Sequence, residues 1–420
     1  MTVLPVSGVS EVVAGDDLAQ VLLAALAAGG ADVRPGDCLV VSSKVVSKAL
    51  GLTWEGSRES AVAAHTVRVV AERGTAAGDR AGDGGGDGGG AGAGAGARVA
   101  VTRVVESLAG PVMAAAGVDA SNTGPTGMPL LLPTDPDGEA RDLRTALLQH
   151  LGLPAGTALA VVLSDTAGRP WRVGLTDFAL GSAGLRPVED LRGGTDHDGR
   201  ALSVTERALA DEVAAAADLV KGKVDGIPAA VLRGLPAEWF DADAPGARAL
   251  VRTDAADWFA LGHVEAVRAA LGVAPGSALS QQVGVRSVRE EPFADRVARV
   301  VALALHDVED GSADVWVRPR DDFAHGTTPS PASGTAPSPA SVTAPSPASV
   351  TAPAPASGTA PAPASGVTSD SAEVTLGAPE DYDLGRLVAR LEVAAHSEDL
   401  RATPTGRAPG SVTVSLHPTP

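Results

Sequence analysis

Cysteine occurs once in the 420 residues, at Cys38, which excludes a disulfide framework and any cysteine-based metal centre. Aromatic residues make up only 3% of the chain, so alanine and valine must build most of the core. No apolar run approaches the ~20 residues needed to cross a bilayer. There is no excess of positive charge: the net charge is −18, which argues against a binder of nucleic-acid backbone. The opening residues, MTVLPVSGVSEVV, lack the basic start and cleavage site of a secretory signal, so a cytoplasmic protein is the expectation. The length suffices for two domains, or for one large core with appendages.

Lysine is scarce as well. Only four of the 33 basic residues are lysine, and they fall in two clusters: Lys44 and Lys48 in SSKVVSK, Lys221 and Lys223 in VKGK. Arginine is the default cation of this sequence, so lysine there reads as selected. A compact ammonium suits a point contact to phosphate, whereas arginine suits planar, two-pronged partners. Both clusters also carry the serine or glycine that phosphate sites use.

Apolar periodicity places a helix between Asp16 and Gly29 and a buried strand at 36–41, running into SSKVVSKALG. RVAVTRVVESL reads as a strand, and GPVMAAAGVDASNTGP as another ending in a polar turn. Asp135-Pro136-Asp137-Gly138 reads as a turn before a helix, and ALAVVLSDT as a buried strand. Ser203-Val204-Thr205-Glu206 has the form of a capping box ahead of a helix that stops at Gly222, and the strand IPAAVLRG follows. Strands and helices mix without strict alternation, so a mixed α/β fold is expected. Residues 76–97, rich in Gly and Asp, read as a flexible insert. An eight-residue TAPSPASV-type repeat over 327–366 reads as a linker. The expected division is one domain over 1–275 and a small split domain from 276–326 plus 367–420.

Three polar clusters terminate apolar strands: Asp119-Ala120-Ser121-Asn122, Asp165-Thr166, and the lysine pairs. A lone aspartate in such a place is ordinarily a turn or cap. Two carboxylates from different strands, with a hydroxyl, make a hard oxygen site for Mg²⁺ or Mn²⁺ whose remaining ligands come from water and phosphate. Arg169 and Arg172, just beyond Asp165, are candidate clamps on a substrate carboxylate or a transferring phosphoryl group; surface pairing with Asp177 or Glu189 is the alternative. His197 in DHDG reads equally as an exposed turn, and Trp171 as packing. No Ser–His–Asp or Cys–His set is present, and Lys221-Gly222-Lys223 is too short for a Walker A loop.

Several segments, GDCLVVSSKVVSKALG, AAAGVDASN, LLPTDPDG, SDTAGRPWRVGLTDFALGSAGL and the run from Leu191 to Leu235, together resemble the coenzyme F420-0:L-glutamate ligases over residues 3–272. The resemblance implies a cytoplasmic homodimer of mixed α/β fold. Such an enzyme uses GTP to join L-glutamate to the carboxylate of a deazaflavin side chain, then adds further γ-linked glutamates, with Mg²⁺ or Mn²⁺ and K⁺. Carried over by position, it makes Asp119, Asp165 and Thr166 the metal ligands. Gly8, Val9, Ser10, Glu11, Ser43, Lys44, Lys48, Asn122 and the loop Lys221, Gly222, Lys223, Val224, Asp225, Gly226 and Ile227 become nucleotide contacts. The chain departs from that pattern at Leu50, where members usually carry glutamate, and at Leu108-Ala109-Gly110, where they often carry Arg-His-Gly. Two rival readings are a ligase of the same mechanism acting on another acid, and a nucleotide- or deazaflavin-binding homologue without turnover.

Overall fold

The structure, a computed structural model, describes residues 1–75, 100–124, 127–222, 225–253, 255–308, 311–318, 340–343 and 371–419. The whole insert at 76–97 and most of the repeat, together with Lys223 and Val224, lie outside the described residues. Those described within 1–70 and 76–260 form one compact unit, and those within 71–75 and 261–420 form another.

The first unit contains β1 (Thr2–Pro5), α1 (Leu18–Ala28), β2 (Asp37–Ser42), α2 (Ser43–Ala49), α3 (Arg58–Ala64), β3 (Thr66–Thr75), β4 (Ala100–Ser107) and β5 (Val112–Ala114). After these come α4 (Pro136–His150), β6 (Ala160–Arg169), β7 (Arg172–Ala183), β8 (Glu189–Asp190), β9 (Glu206–Arg207), α5 (Leu209–Lys221) and β10 (Ala229–Arg233). The last residues of β3, 71–75, group with the second unit.

Its main sheet runs β1-β10-β2-β6-β7. Only β2 and β6 are parallel; the other neighbours are antiparallel. Both faces are covered, which is why these strands read as unbroken apolar runs rather than alternating ones. Leu39, Val41, Val161 and Leu163 pack with α1 and α4 on one side, while Cys38, Val40, Ala160 and Val162 pack with α5 on the other. Cys38 is fully buried, and burial pushes its thiol far above the usual range, so it is an inert core residue.

Two local expectations are corrected. Asp135-Pro136-Asp137-Gly138 is the first turn of α4 rather than a turn before it. Asp135 is the N-cap, accepting from Gly138 N at 3.0 Å, and Pro136 takes the first helical position, where its missing N–H costs nothing. The apparent capping box at Ser203–Glu206 does not start α5. Glu206 and Arg207 pair as β9 with β8, and Arg207 is held by Glu189 at 2.8 Å and Glu212 at 2.7 Å. That cross-strand pairing outcompetes the local cap, and α5 begins at Leu209.

The second unit holds α6 (His263–Ala270), α7 (Ala278–Val283), α8 (Phe293–Leu305), β11 (Ser312–Arg318), β12 (Ala340–Thr343), β13 (Ser371–Gly377), α9 (Asp381–His396), β14 (Leu400–Ala408) and β15 (Ser411–Pro418). One antiparallel sheet, β12-β11-β13-β15-β14, draws strands from both sides of the repeat, and β12 comes from within it. Val297, Val300 and Leu303 of α8 and Leu384, Leu387 and Leu391 of α9 close the core against Val374, Leu376, Val414 and Leu416. Glu398 is completely buried and accepts from Arg299 Nη2 at 2.8 Å and Arg268 Nη2 at 3.2 Å.

Candidate active site

The parallel pairing of β2 with β6 ends at Ser42 and Ser164, and α2, which follows β2, lines the same place as the continuation of β6. The carboxyl end of parallel strands is where open α/β sheets bind ligands. A cavity of about 570 Å³ opens there, wholly within the first unit.

Each wall has a local cause. α2 follows β2 directly, and its Lys44 and Lys48, four apart and so on one helical face, both line the cavity. Asp119 is set by a left-handed turn before it: Ala115, Ala116 and Gly117 have φ of 50°, 55° and 73°. A side chain at Gly117 would meet Leu132 Cδ1 at 2.2 Å, so glycine is required at that step. A two-way backbone bridge then fixes Asp119 against Leu130, with N–O distances of 3.0 and 2.9 Å. Asp165 and Thr166 lie on β6 past Ser164, and Lys221 is the last residue of α5 before Gly222 (φ 57°) ends it.

The charges are already matched in pairs. Lys44 Nζ donates to Ser121 O at 2.9 Å and stands 3.4 Å from Asp119 Oδ2. Lys48 Nζ donates to Glu11 Oε1 at 2.6 Å. Lys221, almost fully buried, donates to Ser164 Oγ at 2.6 Å and to Asp177 Oδ2. Asp177 also accepts from Ser164 Oγ at 2.8 Å and Thr166 Oγ1 at 2.7 Å, so each partner in this buried group is satisfied. Asp165 differs: burial first, then the Asp119 and Asp177 carboxylates, push its acid up to about 7, against the pull of Thr166 N–H and Lys44. A site that disfavours its own carboxylate is short of positive charge.

That shortage bears on the expected metal. Among the described residues no three His, Cys, Asp or Glu side chains are grouped as a metal site. The donors available to a divalent ion would be Asp119, Asp165 and the Thr166 hydroxyl, which donates to Asp177 yet keeps lone pairs. Two carboxylates and a hydroxyl suit Mg²⁺ or Mn²⁺, which keep most of their shell for water and phosphate.

Of the sequence-derived site residues, Val9, Ser10, Glu11, Lys44, Lys48, Asp119, Asn122, Asp165, Thr166, Lys221, Gly222, Gly226 and Ile227 line the cavity. Gly8 and Asp225 do not, and Ser43, the first residue of α2, is buried with its hydroxyl unpartnered among the described residues. Arg169 and Arg172 are absent from the lining. They face each other across the tip of the β6–β7 hairpin, four residues along an extended strand from Asp165, about 13 Å. Neither suggested partner was available to them, since Asp177 is bound to Lys221 and Glu189 to Arg207. Trp171 is 82% exposed and meets Phe259 edge-on. His197 is exposed, in a turn where Asp196 Oδ1 accepts from Asp198 N and Arg200 N. Asp177 is the residue that sequence reasoning missed; its only signal was a carboxylate inside an otherwise apolar strand.

The family described as F420-0:Gamma-glutamyl ligase matches residues 97–234, inside the first unit. The coenzyme F420:L-glutamate ligase of Methanothermobacter thermautotrophicus is 38% identical over 240 residues, covering 56% of this chain and 90% of the relative. This chain belongs to the F420-0:gamma-glutamyl ligase family. It is therefore a ligase that forms amide bonds. The similarly named proteins of Methanopyrus kandleri and Natronomonas pharaonis are 36% and 38% identical, with 92% and 94% of each relative covered. In family terms, most of the cavity wall comes from the segments on which the sequence resemblance rests. No helix among the described residues is long and apolar enough to cross a membrane.

Proposed function

We propose that this F420-0:gamma-glutamyl ligase joins L-glutamate to the side-chain carboxylate of coenzyme F420-0 at the expense of GTP, then extends the product through further γ-linkages. The observation that carries the reading is the convergence of Asp119 and Asp165, from distant segments, with Lys44, Lys48 and Lys221 in one cavity at the end of β2 and β6. A carboxylate resists amine attack until its oxygen becomes a leaving group. The γ-phosphoryl group passes to that oxygen and GDP departs. The glutamate amine then attacks the acyl carbon, the C–O bond breaks, inorganic phosphate leaves with the electron pair, and the amine loses a proton to solvent.

The chain's part is positioning and charge neutralisation. Lys44 and Lys48 line the wall as phosphate contacts, exchanging Asp119 and Glu11 for nucleotide oxygens. Lys221 holds Asp177, and through it Thr166, in place. Asp119, Asp165 and Thr166 would hold Mg²⁺ or Mn²⁺, which when bound neutralises phosphate charge. The implied K⁺ has candidate donors in the buried hydroxyls of Ser43 and Ser47, which have no hydrogen-bond partner among the described residues. We place the reaction in the cytoplasm, which suits a single buried thiol. Asp165→Asn, which keeps the shape and removes the charge, should lower ligation by at least ~10²-fold while leaving the circular dichroism spectrum unchanged. Undiminished glutamate addition by that variant at ordinary Mg²⁺ would refute the assignment.

A further inference from the structure

A second cavity, of about 320 Å³, lies in the first unit and belongs to no part of the site above. Ala109, Thr134, the first turn of α4 and Leu180 line it, with two guanidinium groups, Arg141 and Arg248. Its volume is about ten times the ~30 Å³ share of a liquid water, ample for a small dicarboxylate.

The sheet links it to the first cavity. Across β6 and β7, Asp165 pairs with Phe178, so the two share a face. Phe178 packs with Leu180 in the cluster of Ala109, Met113 and Leu132. One step of two residues along β7, about 7 Å, therefore leads from the partner of Asp165 to the wall of the second cavity.

The acids in this cavity are already committed. Asp137 Oδ1 accepts from Ser182 N at 2.8 Å and Ala247 N at 2.7 Å, and its Oδ2 accepts from Arg248 N at 3.0 Å. Asp135 caps α4 and stands 3.5 Å from Arg141 Nη2. The Arg248 side chain has no ion pair among the described residues. Its position is constructed: a side chain at Gly246 would meet Asp137 Cγ at 2.4 Å, and one at Gly110 would meet Arg248 Nη1 at 2.5 Å. Both glycines have positive φ, 84° and 118°. Glycine at these two places lets the loop dock on Asp137 and the guanidinium lie over the backbone of Gly110.

We propose that this cavity binds the incoming amino acid, with the two carboxylates of L-glutamate held by Arg248 and Arg141 and the amine directed along β7 toward Asp165. The inference rests on the ligase reading and names where its amine donor sits. Planar guanidinium groups suit carboxylates, and two of them select a dicarboxylate over a neutral amino acid.

The test is glutamate saturation with the full-length protein at fixed F420-0, GTP and Mg²⁺, for the parent, Arg248→Ala, Arg141→Ala and Arg248→Lys, alongside calorimetric binding of L-glutamate alone. Loss of a charged hydrogen-bond donor should raise the glutamate KM roughly 10- to 100-fold in Arg248→Ala, with kcat and the KM for GTP nearly unchanged. Arg248→Lys should recover part of the loss. An active parent with an unchanged glutamate KM in both alanine variants would overturn the inference. So would a raised KM for F420-1 alone, which assigns the cavity to the acceptor's tail. If the parent ligates nothing, the ligase reading fails. Calorimetry then decides the cavity alone: arginine-dependent glutamate binding upholds it, and no binding rejects it.

Discussion

Asp177 and Lys221 support the floor of the proposed active site. Both are nearly inaccessible, and Ser164 and Thr166 complete their hydrogen bonds. Removing one partner of a buried pair strands the other charge, at a typical cost of ~3–5 kcal/mol. Lys221→Met should lower stability by about that amount in urea titration, and Lys221→Met with Asp177→Leu should recover most of it. Equal stability of the parent and Lys221→Met would show that the pair contributes nothing to the fold. The same residues mark how far a sequence can be read at this scale. Asp119, Asp165 and Thr166 stood out because each breaks an apolar run at its end. Asp177 did not, because its meaning depends on the register that sets it opposite Thr166. Arg169 and Arg172 do not line the cavity for a related reason: nearness in sequence is not nearness in space along a fully extended strand.

At the scale of elements, α5 joins the core to the site. Leu209, Val213 and Ala217 pack beneath the sheet, and Lys221 reaches the cavity from its last turn. Its first turn carries Asp211, whose carboxylate accepts from Ala179 N at 2.9 Å and so ties the helix to β7. Burial holds the Asp211 acid above the usual carboxylate range, partly offset by that hydrogen bond. The folded protein thus binds this proton more tightly than the unfolded chain, and the contribution of Asp211 to stability falls as pH rises above the ordinary aspartate value. Asp211→Asn keeps an oxygen for Ala179 N and removes the charge. It should melt higher than the parent at pH 8, with the gain shrinking toward pH 4. A gain that grows on acidification would contradict the burial argument. Elements of strong period, such as α1, β2, β6 and β10, were legible from their residues. The start of α5 was not, because Ser203–Glu206 satisfies a local rule that the pairing of β8 with β9 overrides.

At the scale of the whole molecule, the family match at 97–234 and every described residue that lines the proposed site lie in the first unit. The first unit also carries an exposed apolar group at the β6–β7 hairpin: Trp171, Val173, Trp258 and Phe259. We propose this surface, where Trp171 meets Phe259, for the homodimer that the sequence resemblance implies, since exposed apolar patches mark interaction surfaces. The parent should sediment as a dimer and Trp171→Glu with Val173→Glu as a monomer; a dimer in both would place the interface elsewhere. The parallel pair at the heart of the first unit was hidden from the sequence, because strand order depends on contacts between segments more than a hundred residues apart. The change in composition near residue 276 and a small domain shared by both flanks of the repeat were read from the sequence, whereas the strand order of the sheet that draws on both flanks was not.

The central claim, GTP-driven addition of glutamate at the Asp119–Asp165 cavity, is tested most directly by mass spectrometry of F420-0 after incubation with the full-length protein, GTP, Mg²⁺ and L-glutamate. The parent should yield F420-0 carrying one or more glutamates, only when GTP is present, and Asp165→Asn should yield none. Glutamate addition without GTP, or unmodified F420-0 with the parent protein, would contradict it.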